Sequence, residues 1–289
     1  MICNPEATGP RHKGFANQSC WVTWDHATFR SQNRRWSRHC HSEPPSQKNA
    51  LSEQLFDDLY GAGLLLQQTP NLRAVILTGA GSDFCSGIDL QFLQSLLPRL
   101  DDVRGKMRNA PVGEAANWFQ RPCFIWRQLT VPVIAAIDGI CIGAGLQLAL
   151  CADIRLAGHA TRMSLMEAKW GLIPDMGITQ VLPQLMRGDQ AKELMMTARM
   201  LDAETAQAVG LITRIVDSPL EAARALADEL IARSPEAVNG SKALIDQTWN
   251  LPPGEGLAIE AEMQANIMGS PNQIEAVMAG LAKRAPKFL

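Results

Sequence analysis

The fold is decided by the stretch from Ile137 to Asp153, which reads Ile-Asp-Gly-Ile-Cys-Ile-Gly-Ala-Gly-Leu-Gln-Leu-Ala-Leu-Cys-Ala-Asp. A β-branched apolar run, 131–137, leads into it and predicts a buried strand. Glycines at 139, 143 and 145 predict a tight turn, and apolar residues at helical spacing follow. Small residues at 143–145 let a polar ligand atom approach the first helical amides, where the helix dipole favours negative charge. The stretch therefore predicts half of an oxyanion hole or, alternatively, a structural glycine turn.

A second stretch of the same kind lies upstream. Residues 77–90 read Leu-Thr-Gly-Ala-Gly-Ser-Asp-Phe-Cys-Ser-Gly-Ile-Asp-Leu, running from an apolar strand through a glycine-rich turn into a helix start. Two such turns can aim two backbone amides at one carbonyl oxygen. A third block, Trp-Gly-Leu-Ile-Pro-Asp, follows at 170–175.

These three blocks, in this order and spacing, resemble the crotonase (enoyl-CoA hydratase/isomerase) superfamily from about Asn49 to Leu289. The resemblance implies an α/β fold, with a ββα spiral core and a C-terminal helical trimerisation region. It implies an acyl-CoA thioester as substrate, and no cofactor other than the coenzyme A that the substrate carries. It also implies a homotrimer or a hexamer built from two trimers.

The resemblance also assigns roles to residues around the two glycine turns. The backbone N–H groups of Ile88 and Ala144 match the family's oxyanion hole, and Gly87 and Gly143 precede them as substrate-binding positions. Gln147 matches a position where hydratases of the family carry a catalytic carboxylate. An amide cannot exchange protons at neutral pH, so the two-carboxylate hydratase arrangement is incomplete and Gln147 is predicted to bind substrate or water.

Two carboxylates remain as candidates for proton transfer. Glu167 matches the second catalytic carboxylate of the hydratases, and its alternative role is a solvated charge at a strand end. Asp175 lies where the dienoyl-CoA isomerase branch has a catalytic aspartate, and its alternative role is to cap a helix that begins near Gly177. That branch has an aspartate at the position of Gln147, so the match is partial. Double-bond isomerisation is favoured, and the alternatives are a 2-enoyl-CoA hydratase and a non-catalytic acyl-CoA-binding homologue.

Composition narrows the class of protein. The 289 residues include 46% apolar ones, enough for a large core, and 27 basic against 29 acidic residues give a net charge of −2. This balance argues against a general nucleic-acid or membrane-surface binder, and neither a membrane-spanning run nor a secretory segment is present. Seven cysteines without a Cys-x-x-Cys pair predict reduced thiols and a cytoplasmic location. Cys85 and Ser86 lack a paired histidine base and are disfavoured as nucleophiles.

The chain is predicted to divide into an atypical and poorly ordered stretch at 1–47, a spiral core at 48–219 and a helical region at 220–289. No strand or helix period runs through 1–47, and His39-Cys40-His41 is interpreted as part of a solvated tail rather than a metal cluster. The family's usual first strand, ending in Asn-Arg-Pro, is missing before Asn49. One hypothesis is that 35–45 is read out of frame, since a one-nucleotide shift can spell such a strand; a genuine extension or targeting arm is the alternative. The DNA sequence around Arg35 tests this hypothesis.

Hydrophobic periodicity predicts the remaining elements. Aromatic and apolar residues within 98–130 predict an amphipathic helix over the sheet, and the resemblance adds that some of them line an acyl pocket. Strands are predicted at 73–78, 131–137, 154–157, 162–166 and 214–216, and helices from Leu51, at 88–97, 188–196 and 203–211, and repeatedly after Leu220.

Overall fold

The computed structural model describes the backbone of Ser19–Asp25 and Thr28–Ser31, and both backbone and side chains over 48–289. The predictions about order in the rest of 1–47, about a metal cluster at 39–41 and about the reading frame at 35–45 concern residues outside this description.

Nine strands of the described chain form two sheets. The strands are β1 Ser19–Asp25, β2 Thr28–Ser31, β3 Ala74–Gly79, β4 Val133–Ile137, β5 Ile140–Ile142, β6 Ile154–Ala157, β7 Arg162–Ser164, β8 Leu201–Asp202 and β9 Arg214–Ile215. The larger sheet has the order β2-β1-β3-β4-β6-β9, and all neighbouring strands in it are parallel except β1 and β2. The smaller sheet has the order β5-β7-β8.

Strands β1 and β2 lie within 1–47, where the sequence shows no strand period. Strand β1 pairs in parallel with β3, with Ser19 opposite Ala74 and Trp24 opposite Gly79. Its β-branched and aromatic residues suit a pleated surface, although they show no period that marks a strand. The edge of β3 supplies the partner for this segment, and that edge exists only once the core has folded.

Twelve α-helices connect and cover these sheets in the described chain. The helices are α1 Glu53–Gln67, α2 Leu90–Leu96, α3 Leu100–Arg108, α4 Arg121–Phe124, α5 Ala144–Leu150, α6 Leu182–Leu185, α7 Gly188–Thr197, α8 Ala203–Ala208, α9 Pro219–Ile231, α10 Pro235–Thr248, α11 Pro253–Ile267 and α12 Pro271–Leu281. The side chains of Ser52 and Asp89 cap α1 and α2 by accepting hydrogen bonds from backbone N–H groups.

The larger sheet is buried on both faces, because alternate side chains of β3 enter different clusters. Val75 and Leu77 belong to the main core, whereas Ala74 and Ile76 pack with Ala223 of α9 on the opposite face. Continuous apolar runs are therefore needed in β3 and β4, as the sequence indicated. The carboxyl ends of these two strands lead into the two glycine-rich turns.

The aromatic residues of 98–130 pack largely into the core. Trp118 stacks on Phe56 with ring centroids 5.1 Å apart, and Phe119 meets the same ring edge-on at 6.2 Å. Trp126 is completely buried and donates its indole N–H to the Pro122 carbonyl at 2.8 Å. The predicted single amphipathic helix is replaced by α3, a loop and the short helix α4.

Helices α10–α12 bury little of their own surface. Two ion pairs attach α10 to the rest of the fold: Lys242 contacts Asp153 at 2.8 Å, and Asp246 contacts Arg127 at 3.0 Å. The role of this region in trimerisation stays a prediction. Its exposed large apolar residues are Ile245, Trp249, Leu257, Met268, Ile274, Val277, Met278 and Leu281.

Candidate active site

The first glycine turn is held by a short segment at 48–51. The Asn49 side chain donates to the carbonyls of Ala80 and Asp83 at 2.8 and 2.6 Å, which fixes the turn from inside. The backbone of Leu51 then makes two hydrogen bonds to this turn. Its N–H donates to the Gly87 carbonyl, and its carbonyl accepts a hydrogen bond from the N–H of Asp89. This explains why α2 begins at Leu90 rather than at residue 88, where the sequence predicted its start.

This pairing determines where the Ile88 amide points. Leu51 and Ile88 form a parallel bridge, in which both backbone hydrogen bonds of Leu51 go to the neighbours of Ile88, namely Gly87 and Asp89. The N–H of Ile88 itself therefore points away from Leu51. Among residues 48–289, no acceptor takes the Ile88 N–H. Gly87 has a φ of +93°, which suits glycine and turns the chain at this point.

The second turn presents an amide of the same kind. The Gly143 N–H bonds the Ser164 carbonyl at 2.8 Å, and helix α5 begins at the next residue, Ala144. The first amides of a helix have no partner within the helix, and within the described chain the Ala144 N–H has no acceptor. The positive end of the α5 dipole adds to the attraction for negative charge at this N–H.

The two turns meet beside Glu167. A methyl group added to Gly87 would lie 3.8 Å from the Ala144 nitrogen. One added to Gly143 would lie 3.9 Å from the Gly87 Cα and 3.7 Å from Glu167 Oε1. The structure therefore brings four of the predicted site residues together within a few ångströms.

Glu167 is buried, so it is not a solvated charge at a strand end. It begins a short 3₁₀ helix, Glu167–Trp170, soon after β7 and is only 9% exposed. Its Oε1 accepts a hydrogen bond from Gln147, while its buried Oε2 has no partner among the described residues. Burial raises the pKa of Glu167 above the ordinary value; the Gln147 hydrogen bond opposes that rise and the charge of Asp175 adds to it.

Gln147 is 2% exposed, and both ends of its amide are engaged. Its nitrogen donates to Glu167 Oε1 at 2.7 Å, and its oxygen accepts the Met176 N–H at 2.8 Å. Gln147 therefore contacts the candidate carboxylate directly. Its predicted contact with substrate stays a prediction.

Asp175 lies on the same side of the fold, near enough for its charge to raise the pKa of Glu167. Burial raises the pKa of Asp175 itself. The 3₁₀ helix Ile178–Gln180 begins after Gly177 and has no side-chain cap, so the alternative of a capping aspartate is wrong. A second carboxyl group, which is half-buried, is thus available near Glu167.

The thiol of Cys85 is unsuited to nucleophilic attack. It is fully buried, and burial raises the pKa of Cys85 to about 12, so the thiolate is absent at neutral pH. The cysteines at 85, 123, 141 and 151 are all free and buried, as expected of reduced core residues. The imidazole of His159 lies on an exposed surface, 3.3 Å from the carboxylate of Asp217.

Sequence reasoning missed the role of Asn49. Its backbone adopts a left-handed conformation, with φ of +55°, which asparagine tolerates better than most residues. It is 3% exposed although polar, and burial of such a side chain requires the two carbonyl partners described above. Only the motif Asn-Ala-Leu at 49–51 hinted at this position.

In the part of the chain that the structure describes, no group of three or more His, Cys, Asp or Glu side chains has an arrangement that could hold a metal ion. Over the same residues, no helix is both long enough and apolar enough to cross a bilayer.

Known proteins resemble this chain in sequence and in fold. It is 35% identical over 248 residues to the mitochondrial methylglutaconyl-CoA hydratase of Mus musculus, covering 83% of this chain and 76% of the relative. Identity to the peroxisomal Delta(3,5)-Delta(2,4)-dienoyl-CoA isomerase of Arabidopsis thaliana is 33% over 248 residues, covering 84% and 89%.

Among solved structures, an enoyl-CoA hydratase from Bacillus anthracis superimposes with a TM-score of 0.77 at 31% identity, over 85% of this chain and 92% of its own. A putative enoyl-CoA hydratase from Streptomyces coelicolor A3(2) gives 0.80 at 27% identity, over 100% and 98%. These neighbours share the α/β core and the C-terminal helices. The family model for enoyl-CoA hydratase/isomerase matches residues 42–289. The chain therefore belongs to the enoyl-CoA hydratase/isomerase family of the crotonase superfamily.

Proposed function

We propose that the protein isomerises a double bond in an unsaturated acyl-CoA thioester. The observation that carries this proposal is the set of side chains beside the two glycine turns: the buried carboxyl group of Glu167, the half-buried carboxyl group of Asp175 and the amide of Gln147. Moving a double bond requires a base that removes a proton from one carbon and an acid that returns one to another carbon. The carboxyl groups of Glu167 and Asp175 can each act as a base or an acid, whereas the amide of Gln147 can neither take nor give a proton.

The thioester carbonyl oxygen would accept hydrogen bonds from the N–H groups of Ile88 and Ala144. When the base removes a proton next to the carbonyl, the electron pair of the C–H bond moves toward this oxygen and forms an enolate. Donors that are already fixed stabilise the enolate more than the neutral thioester, which lowers the barrier. Neither N–H has an acceptor among the described residues, and a methyl group added to Gly87 would lie 3.8 Å from the Ala144 nitrogen; both observations support this role.

Glu167 would act as the base and Asp175 as the acid at the far end of the enolate. Burial raises the pKa of both groups, and the charge of Asp175 raises the pKa of Glu167 further. A raised pKa brings a carboxyl group closer to neutral pH, where it is better able to exchange a proton. Gly87 and Gly143 would let the thioester approach the backbone.

The scheme uses no cofactor beyond the coenzyme A of the substrate. We also propose that the chain assembles as a homotrimer or hexamer, because the exposed apolar side chains of α11 and α12 need a covering surface. Light scattering of the purified protein tests the assembly, and a monomer at micromolar concentration contradicts it. The four free buried cysteines support the cytoplasm as the proposed location.

Hydration of a 2-enoyl-CoA is the second candidate. The observation in its favour is the 35% identity to a methylglutaconyl-CoA hydratase, which exceeds the 33% identity to the dienoyl-CoA isomerase. In this chemistry Glu167 would activate water, and the Gln147 amide would only orient it. The lack of a second proton-exchanging group at position 147 weighs against it.

Incubation with three substrates separates these functions. Purified protein is mixed in turn with a 2-enoyl-CoA, a 3-enoyl-CoA and a 3,5-dienoyl-CoA, and products are resolved by liquid chromatography and mass spectrometry. Isomerisation of the 3-enoyl or dienoyl thioester supports the proposal. A product about 18 Da heavier than the 2-enoyl thioester, which corresponds to one added water, supports the hydratase. Binding without turnover of any of the three supports a non-catalytic homologue.

A further inference from the structure

The orientation of the Gln147 amide is determined by its neighbours. The Met176 N–H is a donor and can bond only the amide oxygen of Gln147, at 2.8 Å. A flipped amide would set two donors against each other at this contact. The amide nitrogen therefore faces Glu167, where it donates to Oε1 at 2.7 Å.

This arrangement makes the two oxygens of Glu167 unequal. Oε1 faces a fixed donor, so a proton on Oε1 would meet the amide hydrogen of Gln147. Oε2 is buried and has no partner among the residues at 48–289. A buried polar atom without a partner is costly, and such atoms occur where a ligand or reacting group completes the contact.

We propose that Gln147 is a positioning residue, which holds Oε1 of Glu167 so that Oε2 alone exchanges a proton with the substrate. This inference rests on the proposed role of Glu167 as the base. In the proton-transfer step the substrate C–H bond breaks, an O–H bond forms at Oε2, and the electron pair passes to the thioester carbonyl as the enolate. Asp175 then gives its proton to the far carbon of the enolate, where a C–H bond forms, and proton exchange with solvent returns both carboxyl groups to their starting states.

The proposal also explains an amide at this position. A carboxylate at 147 would still accept the Met176 N–H, but would place a second acidic oxygen against Oε1 of Glu167. The two groups would then compete for one proton, and Glu167 would titrate as part of a pair. With Gln147 in place, Oε1 of Glu167 meets a hydrogen-bond donor instead of a second acidic oxygen.

The test is a titration of Glu167 that needs no substrate. Infrared difference spectra follow its carboxyl C=O band, which is identified by its loss in Glu167→Gln. In Gln147→Met the charged form loses its donor, so the pKa of Glu167 should rise further. Gln147→Glu keeps the acceptor for Met176 and should raise that pKa as well, through a second negative charge. If Gln147→Met does not fold, Gln147→Glu carries the test.

Kinetics supply the second readout. Loss of a hydrogen bond to a charged base should lower kcat for isomerisation by about 10- to 100-fold, with KM changed less than about twofold. The acid limb of the pH–rate profile should move to higher pH, in parallel with the infrared titration. The matched control is Gln180→Met, which replaces an exposed glutamine and should leave both measurements unchanged.

The outcomes separate this inference from the proposed function. An unchanged Glu167 titration in folded Gln147→Met and Gln147→Glu proteins overturns the inference, whatever the enzyme does to thioesters. An upward shift in both variants, from a wild type that isomerises no thioester, supports the contact and overturns the proposed function. Equal losses in kcat for Gln147→Met and Gln180→Met also overturn the inference.

Discussion

Replacing Gly143 by alanine tests the proposed backbone donor of the second turn. Gly143 has φ of +54° and ψ of −128°, a conformation that residues with a Cβ avoid. The added methyl group would meet no atom closer than Glu167 Oε1 at 3.7 Å, so crowding contributes little. The cost is backbone strain of about 1–3 kcal/mol. Relief of this strain rotates the peptide whose N–H belongs to Ala144.

We expect kcat for the thioester reaction to fall by about 10²–10³, the usual effect of losing one oxyanion donor. The free energy of unfolding should fall by only about 1–3 kcal/mol, so the protein stays folded. Urea unfolding and steady-state kinetics on the same preparations measure the two quantities. The matched control is Gly269→Ala: its φ is +81° and no atom lies within 4 Å of the added methyl, so strain of about 1–2 kcal/mol should leave kcat intact.

Full activity in Gly143→Ala, accompanied by the expected loss of stability, would refute the assignment of the Ala144 N–H. A similar loss of kcat in Gly269→Ala would show that strain anywhere in the chain is sufficient, and would refute the reasoning equally. Gly87→Ala provides an independent test at the other turn, where the methyl would lie 3.1 Å from the Ile142 carbonyl oxygen.

Three further substitutions test separate parts of the structure. Glu167→Gln should lower kcat by about 10²–10⁴. Because burial raises the pKa of Glu167 in the folded state, the stability of the wild type falls as pH rises from the unfolded-state pKa through the folded-state pKa. In urea unfolding the variant should therefore be more stable than the wild type at pH 7 and equally stable below about pH 4. Asp175→Asn should keep exchange of the substrate α-proton with D₂O but lose about 10²-fold in isomerisation, and equal loss of both reactions contradicts its role as acid. Lys242→Met should lower the free energy of unfolding by about 2–3 kcal/mol, because Asp153 loses a charged donor, whereas Arg104→Met, at an exposed pair, should change nothing measurable.

The sequence determined the order of the chemistry-bearing segments. Glycine turns at the ends of two apolar runs, followed by helix starts, are local features, because small residues and hydrophobic periods act within a few residues. Strands β3, β4 and β6 therefore form within a residue or two of the predicted positions. The same blocks were sufficient to identify the family, which the family model confirms over 42–289.

Prediction was weaker wherever a segment depends on a distant partner. Strand β1 was missed because it pairs with the edge of β3, and the paired residues, such as Ser19 and Ala74, are far apart in sequence. Asn49 was not recognised as a structural residue, since its two carbonyl partners lie in the turn after β3. The cap proposed for Asp175 failed because the following 3₁₀ helix begins without any side-chain cap.

By itself the sequence determined which residue types are present: two glycine turns, two carboxyl groups and one glutamine where a third carboxyl group was possible. Only the tertiary structure decided that Gly87, Gly143 and Glu167 lie together, and that Gln147 joins Glu167 to the Met176 amide. The physical reason is range. Helix and turn preferences are set by neighbours in sequence, whereas a site built across strands, and the desolvation that raises the pKa of its carboxyl groups, exists only after the core has closed around it.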